Sequence, residues 1–373
     1  MTSTHTLKQA LISANLSPSS HNCQPWMTVI IDSEDKQLNI QQTLSLSSRP
    51  RIIFGLDKTR TLTSLPIHSI EMHLSCGAYI QAFLEALGPS IAASTLWVST
   101  QANSNIASIE LPENFIPLMI LAFHEEADPT TRPYYTNQLA SRRTHRLEYK
   151  KIPLQTAQLD CLRDTQSHLD PHNSLGLKQT IITDGTRINQ FCHCISQNAG
   201  KEFTHPTAWK ETYAYFRWNE EHAKQQGDGF TLSHVLGPMP KFMTWIVKCI
   251  LYPTTMKLLS VLQIPKLLAK DMSRKFQSSD AIFLLSFPTD EPSIQDQIIA
   301  GSYLLNFWLR ADSQGLSLWP CSILLQHDSS RKQLESSLDV EGRLYFVGKI
   351  GTPKQKLSPA PRHSDPLNNV RCI

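Results

Sequence analysis

Two segments of this sequence, residues 68–87 and 294–312, carry a helical pattern that is apolar on nearly every side. A helix of this kind is stable only where other elements cover it all round, so each segment predicts a helix at the centre of a folded unit. The two segments also match each other at one constant offset, which is typical of a duplicated unit. The matched residues are Gly77 and Gly301, Tyr79 and Tyr303, and Phe83 and Phe307.

Short apolar segments with the composition of strands accompany both predicted helices. The predicted strands are residues 26–32, 36–42, 96–99 and 117–123 in the first half, and 181–183, 281–287 and 344–348 in the second. This mixture predicts an α+β fold built from two tandem halves. The polar, proline-marked stretch at 127–133 predicts their boundary, which divides the chain into residues 1–128 and 129–373.

Residues 205–275 have no counterpart in the first half, and we interpret them as an insertion. The insertion is rich in aromatic residues and is punctuated by glycine and proline, which predicts a helical lid over a pocket. Its apolar run at 242–252 is far shorter than the ~20 residues that a membrane-spanning helix needs. We predict that this run forms a helical pair buried against the core. Contact of residues 242–268 with a membrane surface is the less favoured alternative.

Charge and cysteine usage exclude several classes of protein. The 373 residues include 35 Lys+Arg and 32 Asp+Glu, too even a balance for the basic face of an obligate nucleic-acid-binding protein. The eight cysteines are scattered and form no CxxC pair, which indicates a reducing compartment. The N-terminus lacks the pattern of a signal peptide, so we expect a cytoplasmic protein.

Several common site motifs are missing from the sequence. It contains no GxGxxG, GxxxxGK[ST] or GxSxG, which disfavours Rossmann, P-loop and hydrolase sites. The run Cys192-His-Cys194 has no second ligand pair at zinc spacing, so no metal site is predicted.

A polar loop, Ser17-Pro-Ser-Ser-His-Asn-Cys-Gln-Pro-Trp26, follows a predicted N-terminal helix and leads into the first strand. Pro18 fixes a turn, and the serines and amides supply short donors and acceptors on a rigid loop. Such a loop suits ligand contacts, although a plain helix-to-strand connection has the same composition. His21 within it is a weak candidate for proton donation to a substrate.

A basic segment, Ser141-Arg-Arg-Thr-His-Arg146, brings three guanidinium groups close together. Guanidinium groups suit a phosphate monoester, which carries a charge of about −1.5 to −2. If the segment is helical, Arg142 and Arg146 share one face. A solvated basic turn is the alternative interpretation.

A third segment, Gly315-Leu-Ser-Leu-Trp-Pro-Cys-Ser-Ile323, ends a predicted strand with a proline. The proline fixes the backbone that follows, whose amides can address the heteroatoms of a ring. Beyond it, Pro359-Ala-Pro-Arg362 adds a basic residue in the tail, which could equally lie in solvent.

These motifs resemble those of the nitroreductase family of FMN-dependent oxidoreductases. The polar loop resembles the family's signature loop, the basic segment the element that opens its domains, and the third segment its Gly-Leu-x-x-x-Pro loop beside the flavin ring. The resemblance implies antiparallel-rich sheets flanked by helices, with FMN bound between two subunits. It implies FMN contacts from Pro18, Ser19, Ser20, Asn22, Gln24 in support, Arg142, Arg143, Thr144, Arg146, Pro320, Cys321, Ser322 and Arg362.

The distribution of the motifs implies one site per chain. The first half has the polar loop without a basic segment, and the second half has the basic segment without a second polar loop. This pattern resembles the fused, Acg-type branch of the family. We therefore expect a single-chain pseudo-dimer with one composite FMN site, either monomeric or associated as a homodimer.

The resemblance implies an enzyme that moves hydride or electrons between a reductant, NADH or NADPH, and a small organic substrate, with the flavin as carrier. Ser322 stands where some members have an acidic residue, which leaves the nicotinamide geometry open. A protein that binds FMN without turnover is the alternative.

Overall fold

The computed structural model describes residues 3–89, 91–99, 109–124, 134–278 and 281–373. The predicted boundary at residues 127–133 lies outside the described residues. On either side of it the chain forms one larger β-sheet with a long helix packed against it, and the second side also has a two-stranded sheet of residues 216–217 and 230–231.

In the part of the first half that the structure describes there are three α-helices and four strands, and the first helix ends shortly before Pro18. The elements are α1 (Thr4–Ala14), β1 (Trp26–Ile30), α2 (Glu34–Thr43), β2 (Ile52–Asp57), α3 (Ile67–Leu87), β3 (Ala92–Val98) and β4 (Phe115–His124). Every residue of β1 and β2 is buried, because both faces of these strands are covered.

The second half starts with α4 (Thr136–Ser141), α5 (Thr156–Arg163), β5 (Lys178–Ile182) and α6 (Gly185–Asn198). The insertion follows as α7 (Gly200–Thr204), α8 (Pro206–Ala214), β6 (Phe216–Arg217), α9 (Glu220–Gln226), β7 (Phe230–Thr231), α10 (Leu232–Leu236), α11 (Lys241–Leu251), α12 (Pro253–Leu259) and α13 (Ile264–Gln277). The half ends with β8 (Ala281–Phe287), α14 (Ile294–Ser313), β9 (Ser317–Pro320), α15 (Asp328–Ser337), β10 (Arg343–Gly351) and β11 (Val370–Cys372).

The two larger sheets share one topology. The first has the strand order β11-β1-β2-β4-β3 and the second the order β5-β8-β10-β9. Without β11, each sheet places its first, second, fourth and third strands side by side, all antiparallel. In each half the long helix, α3 or α14, connects the second strand to the third. The halves therefore repeat one plan, into which α7–α13 are inserted.

The helices α3 and α14 pack closely through equivalent positions. A Cβ atom at Gly77 would collide with the carbonyl oxygen of Ile298, and one at Gly301 would collide with that of Leu74. The side chains of His73 and Gln297, which lie 224 residues apart, form a 2.7 Å hydrogen bond. The two glycine contacts are reciprocal, and His73 meets its own counterpart, which together are the geometry of an approximate twofold axis.

The C-terminal tail crosses from the second half to the first. The tail leaves β10 and ends in β11, which pairs in parallel with β1. Asn15 anchors this path, because its Nδ2 donates to the carbonyl oxygen of Pro366. The crossing carries residues 358–362 past the loop that follows α1.

The predicted strand at residues 36–42 is wrong, because this segment lies in helix α2. We interpreted Ser33-Glu34-Asp35 as a turn between strands. In the structure, the Ser33 hydroxyl caps the helix by accepting from the Lys36 amide, and the two acids stand in the first turn. A hydroxyl at the N-cap and carboxylates in the first turn both stabilise a helix start.

The prediction that residues 242–252 are buried against the core is also wrong. The insertion has its own small core around Trp209, whose Nε1 donates to the carbonyl oxygen of Leu251 at 2.8 Å. Leu251 is the buried residue of α11, and Phe242 and Trp245 of that helix are exposed. Among the described residues, no helix is long and apolar enough to cross a bilayer.

Candidate functional site

The loop between α1 and β1 has an unusual backbone. His21, Asn22 and Gln24 all have a positive φ, of 51°, 54° and 52°. Residues other than glycine rarely adopt this left-handed conformation, and it persists only where surrounding contacts hold it. The loop is therefore held in one shape by the rest of the protein.

Hydrogen bonds within and around the loop supply that support. The Ser19 hydroxyl accepts from the Gln24 amide at 3.0 Å, and the Gln24 side chain donates to the carbonyl oxygen of Gly227 at 2.8 Å. The Asn22 side chain donates to the carbonyl oxygens of Gly229 and Pro361. The insertion and the tail thus both hold the loop, and Gln24 supports it from a buried position.

The basic segment is extended, so the condition for a shared helical face is not met. Helix α4 ends at Ser141, and Arg142 has φ −54° and ψ 134°. The next residues run beside β9, where the His145 amide donates to the carbonyl oxygen of Leu318 at 3.0 Å. Alternation along extended chain, rather than helical spacing, brings Arg142, Thr144 and Arg146 to one side.

Arg142 is the most constrained of these cations. Its side chain is 6% exposed, and its Cζ lies 4.7 Å from the centre of the Trp308 ring. Burial and the nearby Arg362 lower the pKa of Arg142 to about 9, so it is charged at neutral pH. Its Nε and Nη1 have no hydrogen-bond partner among the described residues. Its Nη2 donates to the carbonyl oxygen of Leu16 at 3.3 Å. A buried cation with two nitrogens unpaired is costly, which indicates that this group is arranged to meet an anion.

Two further guanidinium groups join Arg142, one from the tail and one from the end of the basic segment. Arg362 in the tail donates to the Asn22 side chain at 2.6 Å and to the carbonyl oxygen of Ser17 at 2.9 Å. Arg146 lies over the Phe230 ring. Burial lowers the pKa of Arg146 and Arg362 to about 10, so both remain cationic at neutral pH.

These groups line a cavity of about 170 Å³ between the loop, the basic segment, the insertion and the tail. Its lining includes four arginines and, within the described part of the chain, no carboxylate. The charged residues that line it are Arg142, Arg143, Arg146 and Arg362. This end of the site suits a phosphate dianion.

A second cavity of about 220 Å³ continues from the first, with Pro18, Ser19, Thr144, Arg146 and Phe230 in both walls. Its remaining walls come from both halves of the chain and are mainly apolar. They include Leu74 and Ala78 of α3, Leu304 and Trp308 of α14, Pro320 at the end of β9 and Ser322 just after it, and Tyr345 and Phe346 of β10.

Two residues that line the apolar cavity each carry a buried donor without a partner in the described chain. The hydroxyl of Tyr345 and the Nε1 of Trp308 have no hydrogen-bond partner among the residues that the structure describes. A flat molecule with acceptor atoms at its edge would satisfy both of them.

A carboxyl group lies at the same cavity. The Ser20 hydroxyl donates to Glu71 Oε2 at 2.5 Å, and burial raises the pKa of Glu71. His21 is bonded through both ring nitrogens, to the hydroxyls of Ser20 and Thr212. Burial lowers the pKa of His21 to about 3, so its ring is neutral at physiological pH.

The position related to this site by the approximate twofold axis is filled with protein. Ala78 lines the apolar cavity, and its counterpart in α14 is Ser302. Ser302 is fully buried, with its hydroxyl 2.6 Å from that of Ser167 and 2.5 Å from the side-chain oxygen of Gln81. At this position α14 is therefore packed against the segment around Ser167, whereas Ala78 of α3 borders the cavity.

The structure brings together most of the residues singled out in the sequence. Twelve of them line one or both cavities: Pro18, Ser19, Ser20, His21, Asn22, Arg142, Arg143, Thr144, Arg146, Pro320, Ser322 and Arg362. Gln24 and Cys321 do not. The Cys321 amide donates to the carbonyl oxygen of Val347 at 2.8 Å, and its side chain is in the core of the second half.

Sequence reasoning missed several residues of the site. They are Glu71, Phe230, His234, Trp308 and Tyr345. For Glu71 a signal was present, since a carboxylate in an otherwise apolar helix requires a polar partner. The others are ordinary residues of a core or an insertion, and nothing in their local sequence distinguishes them.

The sequence is similar to that of a named protein over nearly its whole length. A scan against protein-family models finds no match. The chain is 28% identical over 368 residues to the probable NAD(P)H nitroreductase PigM of Serratia sp., and the match covers 96% of this chain and 91% of that protein. The chain is thus similar over nearly its whole length to a probable NAD(P)H nitroreductase.

Solved structures that are similar to this chain cover only part of it. The nitroreductase-like family protein from Bacillus cereus matches with 14% identity and a TM-score of 0.36, over 62% of this chain and 92% of that chain. The FMN-dependent nitroreductase NfnB from Mycobacterium smegmatis, in complex with NADPH, matches with 13% identity and a TM-score of 0.35, over 59% and 88%.

Proposed function

We propose that this protein is an FMN-dependent oxidoreductase with one composite flavin site in a single-chain pseudo-dimer. The observation that carries the proposal is the buried guanidinium of Arg142, whose Nε and Nη1 are left without a partner in a basic cavity that continues into an apolar one. The relative named as a probable NAD(P)H nitroreductase supports NADH or NADPH as the reductant. The second substrate is a small organic molecule.

The donor set fits FMN from end to end. Arg142, Arg143, Thr144, Arg146 and Arg362 would hold the phosphate and the ribityl chain. The loop from Pro18 to Asn22, together with Pro320 and Ser322, would line the ring, whose edge acceptors suit Tyr345 and Trp308. When bound, the flavin supplies hydride acceptance and donation. The protein contributes charge neutralisation, orientation and exclusion of water.

We assign proton transfer into the cavity to Glu71 and Ser20. The raised pKa of Glu71 keeps a proton on its carboxyl group to a higher pH than an exposed glutamate would. With the proton on Oε2, the bond between the two groups reverses, so that Glu71 Oε2 donates to the Ser20 hydroxyl oxygen and the Ser20 hydroxyl donates its own proton into the cavity that it lines. His21 is neutral and bonded at both nitrogens, so we assign it a positioning role.

The first test is the flavin content of the purified protein. We expect a yellow protein with about one FMN per chain, because the twofold-related position is filled around Ser167. The measurement is the visible absorption spectrum, with protein mass and molar mass determined on the same sample. About two FMN per chain would contradict the single site, and a colourless protein that refuses added FMN would contradict the proposal as a whole.

Glu71→Gln tests the proton route. We expect turnover from NADPH to benzoquinone to fall by about 10²-fold, because the amide holds no transferable proton, while FMN occupancy is retained. Wild-type turnover should decline as the pH rises through the pKa of Glu71, and the variant should lose that decline. Glu221→Gln, on the exposed surface of α9, is the matched control.

Two results would decide against parts of this account. An unchanged rate in Glu71→Gln would show that the proton comes from elsewhere. Failure of NADPH to reduce the bound flavin without oxygen would favour an FMN-binding protein without turnover.

A further inference from the structure

A large apolar surface lies on the insertion, away from the core. It is formed by α11, α12, α13 and the connection between the last two, and we call it the apolar face. Its exposed side chains are Phe242, Met243, Trp245, Ile246, Ile250, Tyr252, Leu258, Val261, Leu262 and Leu267. Elsewhere in the described residues, exposed large apolar side chains occur at only four scattered positions: Leu38, Ile116, Ile152 and Leu236.

The exposure of this face is extreme for apolar side chains. Trp245 is 67% exposed, Leu262 is 68% and Val261 is 83%. Helix α11 spans eleven residues, and only Leu251 among them is buried. Single exposed apolar residues are common. A contiguous patch of them, by contrast, marks a surface that another molecule covers.

The charge of the same segment is entirely positive. No Asp or Glu occurs between Asp228 and Asp271. The segment has five lysines, all exposed: Lys241, Lys248, Lys257, Lys266 and Lys270. An apolar face with a cationic rim fits a surface that is apolar inside and anionic outside.

A second copy of this chain fits the face poorly. A symmetric contact sets the same patch against itself, so it would bring ten lysines together with no carboxylate from either segment. Exposed Trp245 and Tyr252 also suit the boundary between lipid tails and headgroups, where one end of the ring is wet.

We propose that the apolar face docks this protein on the surface of an anionic lipid bilayer. The helices lie in the plane of the interface, because none of the described ones is long enough to cross it. Docking leaves the basic cavity close to the lipid. Phe230 and His234 line this cavity, and α10, which contains His234, leads directly into α11. The proposal is independent of the cofactor and does not rest on the proposed function.

The test is co-sedimentation of the full chain with vesicles of equal parts phosphatidylcholine and phosphatidylglycerol. At low salt we expect most of the protein to sediment with these vesicles and little with pure phosphatidylcholine. Raising the salt concentration should release it, because each lysine near an anionic surface contributes about fivefold to partitioning. Brominated lipids should quench tryptophan fluorescence in the wild type and much less in Trp245→Phe.

Surface variants separate the face from the rest of the protein. Trp245→Ser with Leu262→Ser is expected to weaken vesicle binding at least about tenfold, because both side chains lose burial in lipid. Lys248→Glu with Lys257→Glu should weaken it by a similar factor. The matched controls are Leu38→Ser with Ile152→Ser, and Lys36→Glu with Lys332→Glu, all at exposed sites outside the face.

Two outcomes would overturn the proposal. One is the absence of binding to the anionic vesicles at low salt, or binding that the face variants leave unchanged. The other is a wild-type dimer in solution that Trp245→Ser with Leu262→Ser converts to a monomer, which would make a second copy the occupant. Flavin content, measured in parallel, is expected to be the same in every variant.

Discussion

Arg142→Ala combined with Arg146→Ala is expected to weaken FMN binding by about 10²- to 10⁴-fold, because each guanidinium supplies a charge-assisted hydrogen bond to the phosphate. Arg142 carries most of this effect, since it is buried and its Nε and Nη1 have no partner in the described part of the chain. Fluorescence titration with FMN measures the loss. Riboflavin, which lacks the phosphate, should bind the double variant and the wild type with similar affinity.

The matched control is Arg49→Ala with Arg163→Ala, which removes two exposed arginines. Wild-type affinity for FMN should also decline as the pH rises past about 9, the lowered pKa of Arg142, because the free protein then loses the charge that the phosphate meets. Full FMN occupancy in the double variant, with the preference over riboflavin intact, would show that the phosphate lies elsewhere.

Gly77→Ala is expected to lower the free energy of unfolding by about 3 kcal/mol or more, because the new Cβ collides with backbone rather than with a movable side chain. The colliding atom is the carbonyl oxygen of Ile298 in α14, so the two central helices must separate. Gly301→Ala should cost a similar amount, since it meets the carbonyl oxygen of Leu74 in the same way. Thermal and denaturant unfolding measure both.

Gly185→Ala is the control for this substitution. Gly185 begins α6, and a Cβ there meets nothing within 4 Å. The change should be neutral or stabilise the protein by up to about 1 kcal/mol, because alanine favours the helix. Stability of Gly77→Ala equal to that of this control would contradict the close approach of α3 and α14.

The parts of the fold that sequence predicted are those with a local signal. The strand at 281–287 and the two central helices follow from apolar runs and helical periodicity. The duplication is also visible locally, because close helix packing requires Gly77 and Gly301 at matching positions. Where a local signal was ambiguous the prediction failed, as at 36–42, where Ser33 caps a helix instead of starting a turn.

The residues of the candidate site also fall into two groups, those with a local signal in the sequence and those without one. The polar loop and the basic segment could be singled out because their chemistry is concentrated in a few adjacent residues. Glu71 and Tyr345 could not be paired with them, because they reach the cleft through the packing of α3 and β10. Neighbouring residues also differ in role for a purely geometric reason, as Ser322 lines the cavity while Cys321 packs in the core.

The sequence by itself determined the two tandem halves, the polar loop and the cluster of arginines, because periodicity and local composition suffice for these. Only the tertiary structure decided that the tail returns Arg362 to the loop, that Ser167 fills the twofold-related position, and that the apolar side of α11 stays exposed. Each of these depends on contacts between residues far apart in the chain, and an apolar run has the same pattern whether protein covers it or not.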